Sequence, residues 1–153
     1  MLNALELKVP PLALGVLFGA LMWLASASSV FVINLPWPLG FALSFCVVGF
    51  VIALAGVLAF RQVKTTVNPL TPEATTTMVT SGIYLFTRNP MYLGFLLVLA
   101  GWAIYLSNVL AFTLLPLFVW YMNRFQILPE ERALGEKFPD VFNAYKSSVR
   151  RWL

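Results

Sequence analysis

The sequence predicts an all-α, polytopic membrane protein with about four transmembrane helices, the last two a tight hairpin, joined to a cytoplasmic connector and short C-terminal helices. Three observations predict it. Of 153 residues, 60% are apolar and only 10% charged, against roughly 45–50% and about 25% in soluble domains. The apolar residues gather into four runs, and a hydrocarbon core about 30 Å thick asks for roughly 20 residues per helical crossing. The charged residues all fall outside those runs. The expected organisation is a single membrane domain over residues 1–153. It comprises two N-terminal crossings in 1–60, the connector at 61–89, the hairpin at 90–128 and an amphipathic tail at 129–153.

The first run extends from residue 11 to about 35 and is interrupted by Ala25-Ser26-Ala27-Ser28-Ser29. A short apolar stretch followed by such small residues is also how a secretory signal ends. Here Glu6 and Lys8 stand where a signal carries a basic cluster, and the chain stays apolar through Val30-Phe31-Val32-Ile33, so a retained crossing is expected. The second run, 39–60, is long enough to span and stops at Arg61; its Gly40, Gly49 and Gly56 are tolerable in lipid. The connector is then rich in Thr, with Pro69 and Pro72, and cannot lie as a regular element in hydrocarbon. Runs three and four, 90–106 and 109–121, are separated only by Ser107-Asn108, which predicts an antiparallel hairpin. The fourth run fades through Asn123, Arg124 and Gln126 and is expected to stop at Pro129. In the tail, Phe138, Phe142, Tyr145 and Val149 recur at helical spacing, with Pro139 expected to break the segment in two. Arg150-Arg151-Trp152 has the composition of an interfacial anchor.

All ten basic residues fall at the N-terminus, in the connector or in the segment that follows the fourth run, and the two opposite connections carry none. The positive-inside rule therefore places both termini and the connector in the cytoplasm, and the compact chain suggests a bacterial inner membrane. With no histidine and a single cysteine, Cys46, the sequence excludes histidine triads, histidine-ligated metals and a disulfide framework. No metal and no nucleic-acid partner is expected.

Three polar clusters converge at the cytoplasmic ends of crossings three and four: Val79-Thr80-Ser81-Gly82-Ile83-Tyr84, Arg88-Asn89-Pro90-Met91-Tyr92 and Gln126 through Glu131. Because the hairpin returns crossing four against crossing three, the second and third must be neighbours. Each also has a purely structural reading. Pro90 suits a first helical position, Arg88 a headgroup anchor, and Glu130-Glu131 the first turn of a helix, where the dipole favours acids.

Taken together, VTSGIYLFTRNPMYLG followed by Pro129-Glu130-Glu131 and then FPDVFNAYKSSVRRW resembles the isoprenylcysteine carboxyl methyltransferase family, integral-membrane enzymes related to the phospholipid N-methyltransferases. The resemblance covers residues 76–152; the first two crossings match only in hydropathy. It implies S-adenosylmethionine as cofactor, held by Thr76, Thr77, Met78, Val79 and Tyr84 of the connector, by Arg88, Asn89, Pro90, Met91 and Tyr92 at the start of crossing three, and by Glu130. It assigns Arg124, Gln126 and Glu131 to the catalytic side. A carboxylate can pair with the cofactor's ammonium or hold its ribose hydroxyls, while aromatic faces cover the sulfonium.

Two positions depart from the family pattern. Its motif histidine is Asn89 here, which keeps hydrogen bonding but does not titrate. The arginine that the family uses to hold a substrate carboxylate is Gln126, with Arg124 two residues earlier as a substitute if the helix end is irregular. The implied reaction is methyl transfer to a hydrophobic, lipid-like or prenylated acceptor, with carboxylate O-methylation favoured and a phospholipid or thiol acceptor as the alternative. In-line displacement needs alignment and desolvation more than acid–base help, so a histidine-free site is compatible with it. Readings from other classes are a non-enzymatic helical membrane subunit and a relative of the membrane sterol reductases with a nicotinamide cofactor.

Overall fold

The computed structural model describes residues 6–27, 31–63 and 77–153. Its elements are α1 (Pro11–Ser26), α2 (Pro38–Gln62), a 3-10 turn (Gly82–Leu85), α3 (Pro90–Leu106), α4 (Val109–Met122), a π-turn (Asn123–Ile127), α5 (Leu128–Lys137) and α6 (Pro139–Ser148). Among the described residues the only β pairing is an isolated bridge between Val32 and Asn108, so the fold is all-α as expected. α2 is the one helix among them long and apolar enough by itself to cross a membrane; α1 and α3 are apolar but shorter.

Prolines open α1, α2, α3 and α6 at positions where a missing N–H costs nothing. The hairpin is as tight as expected. Ser107 adopts a left-handed conformation and returns its N–H to Ala103 and Ile104, while the buried Asn108 caps α4 by accepting from Leu110 N at 3.0 Å.

Two boundaries differ from the sequence reading. The first apolar run does not continue as a helix to residue 35: α1 ends at Ser26, whose hydroxyl bonds back to Trp23 O at 2.7 Å. Such back-bonding competes with the helical ladder. At the hairpin turn, Val32 bridges to Asn108 and Ile33 N donates to Ser107 O. Nor does the fourth run stop at Pro129. α4 passes through the π-turn directly into α5, and Pro129 sits in the first turn of the continuation. Proline cannot bond the carbonyl four residues back, that of Phe125. That oxygen instead accepts from Leu7 N at 3.0 Å, so the irregularity creates the docking point of the N-terminal segment.

α3 is the centre of the bundle. α1 and α4 pack on it and on each other around Leu14, Phe18, Met22, Leu99, Phe118 and Met122, with Phe18 and Phe118 meeting edge to face. α2 lies against another face of α3 at near backbone contact: a methyl group at Gly94 would stand 2.5 Å from the carbonyl of Gly49. Small residues at such seams let helices approach where packing rather than water expulsion drives association.

Beyond the hairpin, Pro139 breaks the tail as expected, and Phe142, Tyr145 and Val149 turn their stripe inward. Arg151 and Trp152 of the expected anchor are bonded within the protein. Arg151 pairs with Glu131, and Trp152 is half-buried with its indole N–H on Asn123 Oδ1 at 3.0 Å.

Candidate functional site

The ends of α3 and α5 meet as connectivity requires. Tyr92, in the first turn of α3, is buried and donates its hydroxyl proton to Glu130 in the first turn of α5. Tyr84, held in the 3-10 turn, lies close enough for the Glu130 charge to act on it. Burial first, then Tyr145 and Glu130, push its hydroxyl pKa well up. Its ring meets Phe60 of α2 edge to face, and its carbonyl accepts from Tyr145 of α6 at 2.7 Å. Val79 and Met78 complete the cluster around it.

The two neighbouring glutamates have opposite environments. Burial pushes the Glu130 pKa up to about 8; the Tyr92 hydrogen bond works against this and the charge of Glu131 with it. Glu130 pairs with no cation among the described residues. For Glu131, burial raises the pKa, but hydrogen bonds from Arg151 and Arg88 outweigh it and hold the group below the usual carboxylate range. Adjacent carboxyl groups pushed apart in this way divide their roles, one structural and ionised, one poised near neutrality.

Glu131, Arg88 and Arg151 form a clasp. Arg88 donates to Glu131 at 2.8 Å and to the carbonyls of Lys146 and Val149, and its backbone N–H reaches Arg150 O. Arg151 grips both oxygens of Glu131, at 3.1 and 2.7 Å. The Asn89 amide donates to Arg151 O at 3.0 Å, and the buried Thr87 hydroxyl donates to the same carbonyl. Arg88, Asn89 and Glu131 thus secure the tail over the site. Thr87 and Arg151 escaped the sequence reading of the site, since nothing in local spacing joins positions more than 60 residues apart.

The remaining sequence-derived residues divide similarly. Pro90 is fully buried, and its ring and the Met91 side chain pack against Gly56 of α2. Thr77 is exposed at the start of the described connector, and Thr76 lies outside the described residues. Arg124 and Gln126 face the N-terminal segment. Arg124 pairs with one oxygen of Glu6 at 2.5 Å and Arg132 pairs with the other, while the fully buried Gln126 donates its amide to Val9 O at 2.6 Å. The helix end is irregular, as a role for Arg124 requires, yet the π-turn delivers it to Glu6. Among the described residues no group of three or more His, Cys, Asp or Glu could hold a metal.

What converges is therefore Tyr84, Tyr92 and Glu130, with Met78 and Val79 beside them. A half-buried carboxyl group with no cationic partner among the described residues, beside two tyrosine rings, is suited to accept hydrogen bonds from a ligand bearing ammonium or hydroxyl groups. The family model for phospholipid methyltransferase matches residues 37–141, a segment containing every one of these residues. The chain belongs to that family. It is 33% identical over 72 residues to the protein-S-isoprenylcysteine O-methyltransferase of Schizosaccharomyces pombe, covering 47% of this chain and 30% of that one. To the protein-S-isoprenylcysteine O-methyltransferase A of Arabidopsis thaliana it is 28% identical over 113 residues, 74% of this chain and 57% of that one. An uncharacterized protein of Haemophilus influenzae is 46% identical over 63 residues, which is 41% of this chain and all of that protein. The chain thus spans about a third and somewhat over half of the two methyltransferases it matches. No solved structure matches.

Proposed function

We propose that this family member is an S-adenosylmethionine-dependent methyltransferase acting on a lipid-like or prenylated acceptor at the cytoplasmic face of a membrane, with α1 to α4 as its crossings. The observation that carries the reading is the Tyr92–Glu130 pair at the base of the hairpin, inside the family-matched segment. The clustering of Glu6, Arg88, Arg124, Arg132, Glu131 and Arg151 at that same end supports a common, water-facing side for the N-terminal segment, the site and the tail.

The cofactor, when bound, supplies an electrophilic methyl group on a sulfonium. Glu130 accepts hydrogen bonds from ammonium or hydroxyl donors, and Tyr92 fixes which of its oxygens remains open. The rings of Tyr84 and Tyr92 shield the reacting region from water, which strengthens those contacts. The clasp of Arg88, Glu131 and Arg151 holds the tail in place and so keeps the enclosure closed. A carboxylate acceptor needs no base. An amine or thiol acceptor gains support from one observation: Arg124 and Gln126, the two residues the family pattern offers to a carboxylate, are committed to Glu6 and Val9.

Calorimetric titration with S-adenosylhomocysteine of the detergent-purified protein and its Glu130→Gln variant tests the reading. Micromolar binding to the wild type that is lost in a folded variant is the expected result. Absence of binding to the folded wild type would move the assignment to a non-enzymatic membrane subunit.

A further inference from the structure

Residues 6–9 cross the junction between α4 and α5 as a strap with three points of attachment. Glu6 receives Arg124 of the π-turn on one carboxylate oxygen and Arg132 of α5 on the other. Leu7 N donates to Phe125 O at 3.0 Å, and Val9 O accepts from the Gln126 side chain at 2.6 Å. Val9 also packs against the buried cluster that contains Tyr92 and Ile127. Leu7 lies between these contacts with a φ of 55°. A leucine adopts that left-handed backbone only against a steric cost, so its neighbours' contacts must hold it there.

The double grip on Glu6 depends on the π-turn. Arg124 and Arg132 are eight residues apart, and on an unbroken α-helix they would stand about 80° apart around the axis. The residue that the π-turn absorbs brings them to within about 20° of one line along the helix. One carboxylate can then receive both. In the same arrangement Glu130 lies about 140° around the axis from Arg124, on the side where it meets Tyr92. Strap and site therefore occupy different sides of one helix, and Glu6 acts on the site only through the junction it spans.

We propose that Glu6 is a positioning residue: by bridging Arg124 and Arg132 it holds the junction in the arrangement that sets Glu130 against Tyr92. The extra residue creates that arrangement, and the strap keeps it. The effect on Glu130 is a property of the fold, whereas its consequence for cofactor binding rests on the methyl-transfer reading.

The test is the thermal melt of the wild type, Glu6→Ala, Arg132→Ala and Lys8→Ala in one detergent from pH 5 to pH 9, with S-adenosylhomocysteine titration of the same proteins. Lys8, exposed within the strap, is the control. Burial of Glu130, whose pKa is pushed up to about 8, gives the wild-type melt a fall between pH 5 and pH 8. The titratable groups that face Glu130 are Tyr92, Tyr84 and Glu131, and none belongs to the strap. Glu6 itself titrates outside this window: the Arg124 hydrogen bond, opposed by desolvation and aided by Arg132, holds its carboxyl below the usual carboxylate range. Once the junction loosens, the Glu130 carboxyl returns toward water and toward an ordinary pKa. The expected result is a fall reduced to about half or less in Glu6→Ala and Arg132→Ala and retained in Lys8→Ala, with S-adenosylhomocysteine affinity weakened about tenfold or more in the first two alone. Melts of Glu6→Ala lowered equally at every pH, with the fall intact, would show a strap that merely stabilises and would overturn the proposal. An unchanged S-adenosylhomocysteine affinity in folded Glu6→Ala, or a wild-type melt without the fall, would overturn it as well. Absence of S-adenosylhomocysteine binding to the folded wild type, with the pH result as expected, would instead remove the methyl-transfer reading and leave the positioning role of Glu6 standing.

Discussion

Replacing Glu130 by glutamine should stabilise the ligand-free protein while abolishing the cofactor binding proposed for it. The carboxyl group has its pKa raised from 4.5 to about 8 in the fold, chiefly by burial. Between those two values the unfolded chain carries the ionised form and the folded chain the neutral one. Stability contributed below about pH 4.5 is therefore lost progressively as pH rises toward 8, and levels off beyond it. Each pH unit in that window corresponds to about 1.4 kcal/mol. The residue is partly exposed, and relaxation around it relieves part of the cost, so an accumulated loss of about 3 kcal/mol by pH 8 is expected. Glutamine retains the size of the side chain and an oxygen for the Tyr92 hydroxyl, and it has no charge to bury. Thermal unfolding of both proteins in the same detergent, from pH 5 to pH 9, reads the difference directly. The two melting temperatures should lie close at pH 5 and diverge with the variant on top until about pH 8. A variant equal to or below the wild type at pH 8, or a gap independent of pH, would refute the account of Glu130 as a buried carboxyl without a cation. A site residue whose removal stabilises the fold is the usual mark of stability given up for function.

Two further pairs of variants probe the clasp and the helix seam. Glu131→Ala strands Arg88, whose side chain is only 9% exposed, and should cost about 3 kcal/mol, whereas Arg151→Ala, removing a partner 30% exposed, should cost about 1 kcal/mol or less; chemical denaturation of the two variants compares them, and an equal loss would contradict the clasp. Since Glu131 titrates below the usual carboxylate range, the stability that the clasp adds is present above about pH 4.5 and is lost as pH falls through that lower value. Gly94→Ala would drive a methyl into the Gly49 carbonyl and Ala53 and should destabilise the fold by about 1–3 kcal/mol, while Gly40→Ala, at a position with open space, should be neutral or slightly stabilising in the same melt.

The hairpin was legible in the sequence because its signals are local. Pro90 opens a helix, Ser107-Asn108 closes it, and a two-residue turn leaves no freedom about which ends meet. The same connectivity sufficed to bring Tyr92 and Glu130 together from 38 residues apart. The end of α1 was not legible, because hydropathy continues past Ser26 while the helix is ended by a serine bonding to its own backbone, an event that apolar periodicity does not register. The tail was read correctly as two short helices; that Arg151 of the expected anchor pairs with Glu131 and Trp152 with Asn123 was not legible, since a basic residue looks the same whichever group receives it. Arg124 and Gln126 were placed by analogy on the acceptor side; their partners are Glu6 and the carbonyl of Val9, supplied by a segment whose sequence carries no motif.

The π-turn at residues 123–127 makes the relation between α4 and the Tyr92–Glu130 end a question of phase. A π-turn accommodates one residue more than the α-helix needs, and one residue is about 100° of rotation. Everything from Leu128 onward is therefore turned relative to α4 by that amount, and it is in this rotated frame that Glu130 meets Tyr92 while Glu131 meets Arg88. A chain one residue shorter here would keep its hydropathy, its crossing and its tail. Its continuous α-helix would carry both glutamates around the axis and leave the tyrosine and the arginine facing the wrong side chains. Length at this one turn, more than the identity of any residue within it, sets the alignment between the apolar helices and the candidate site.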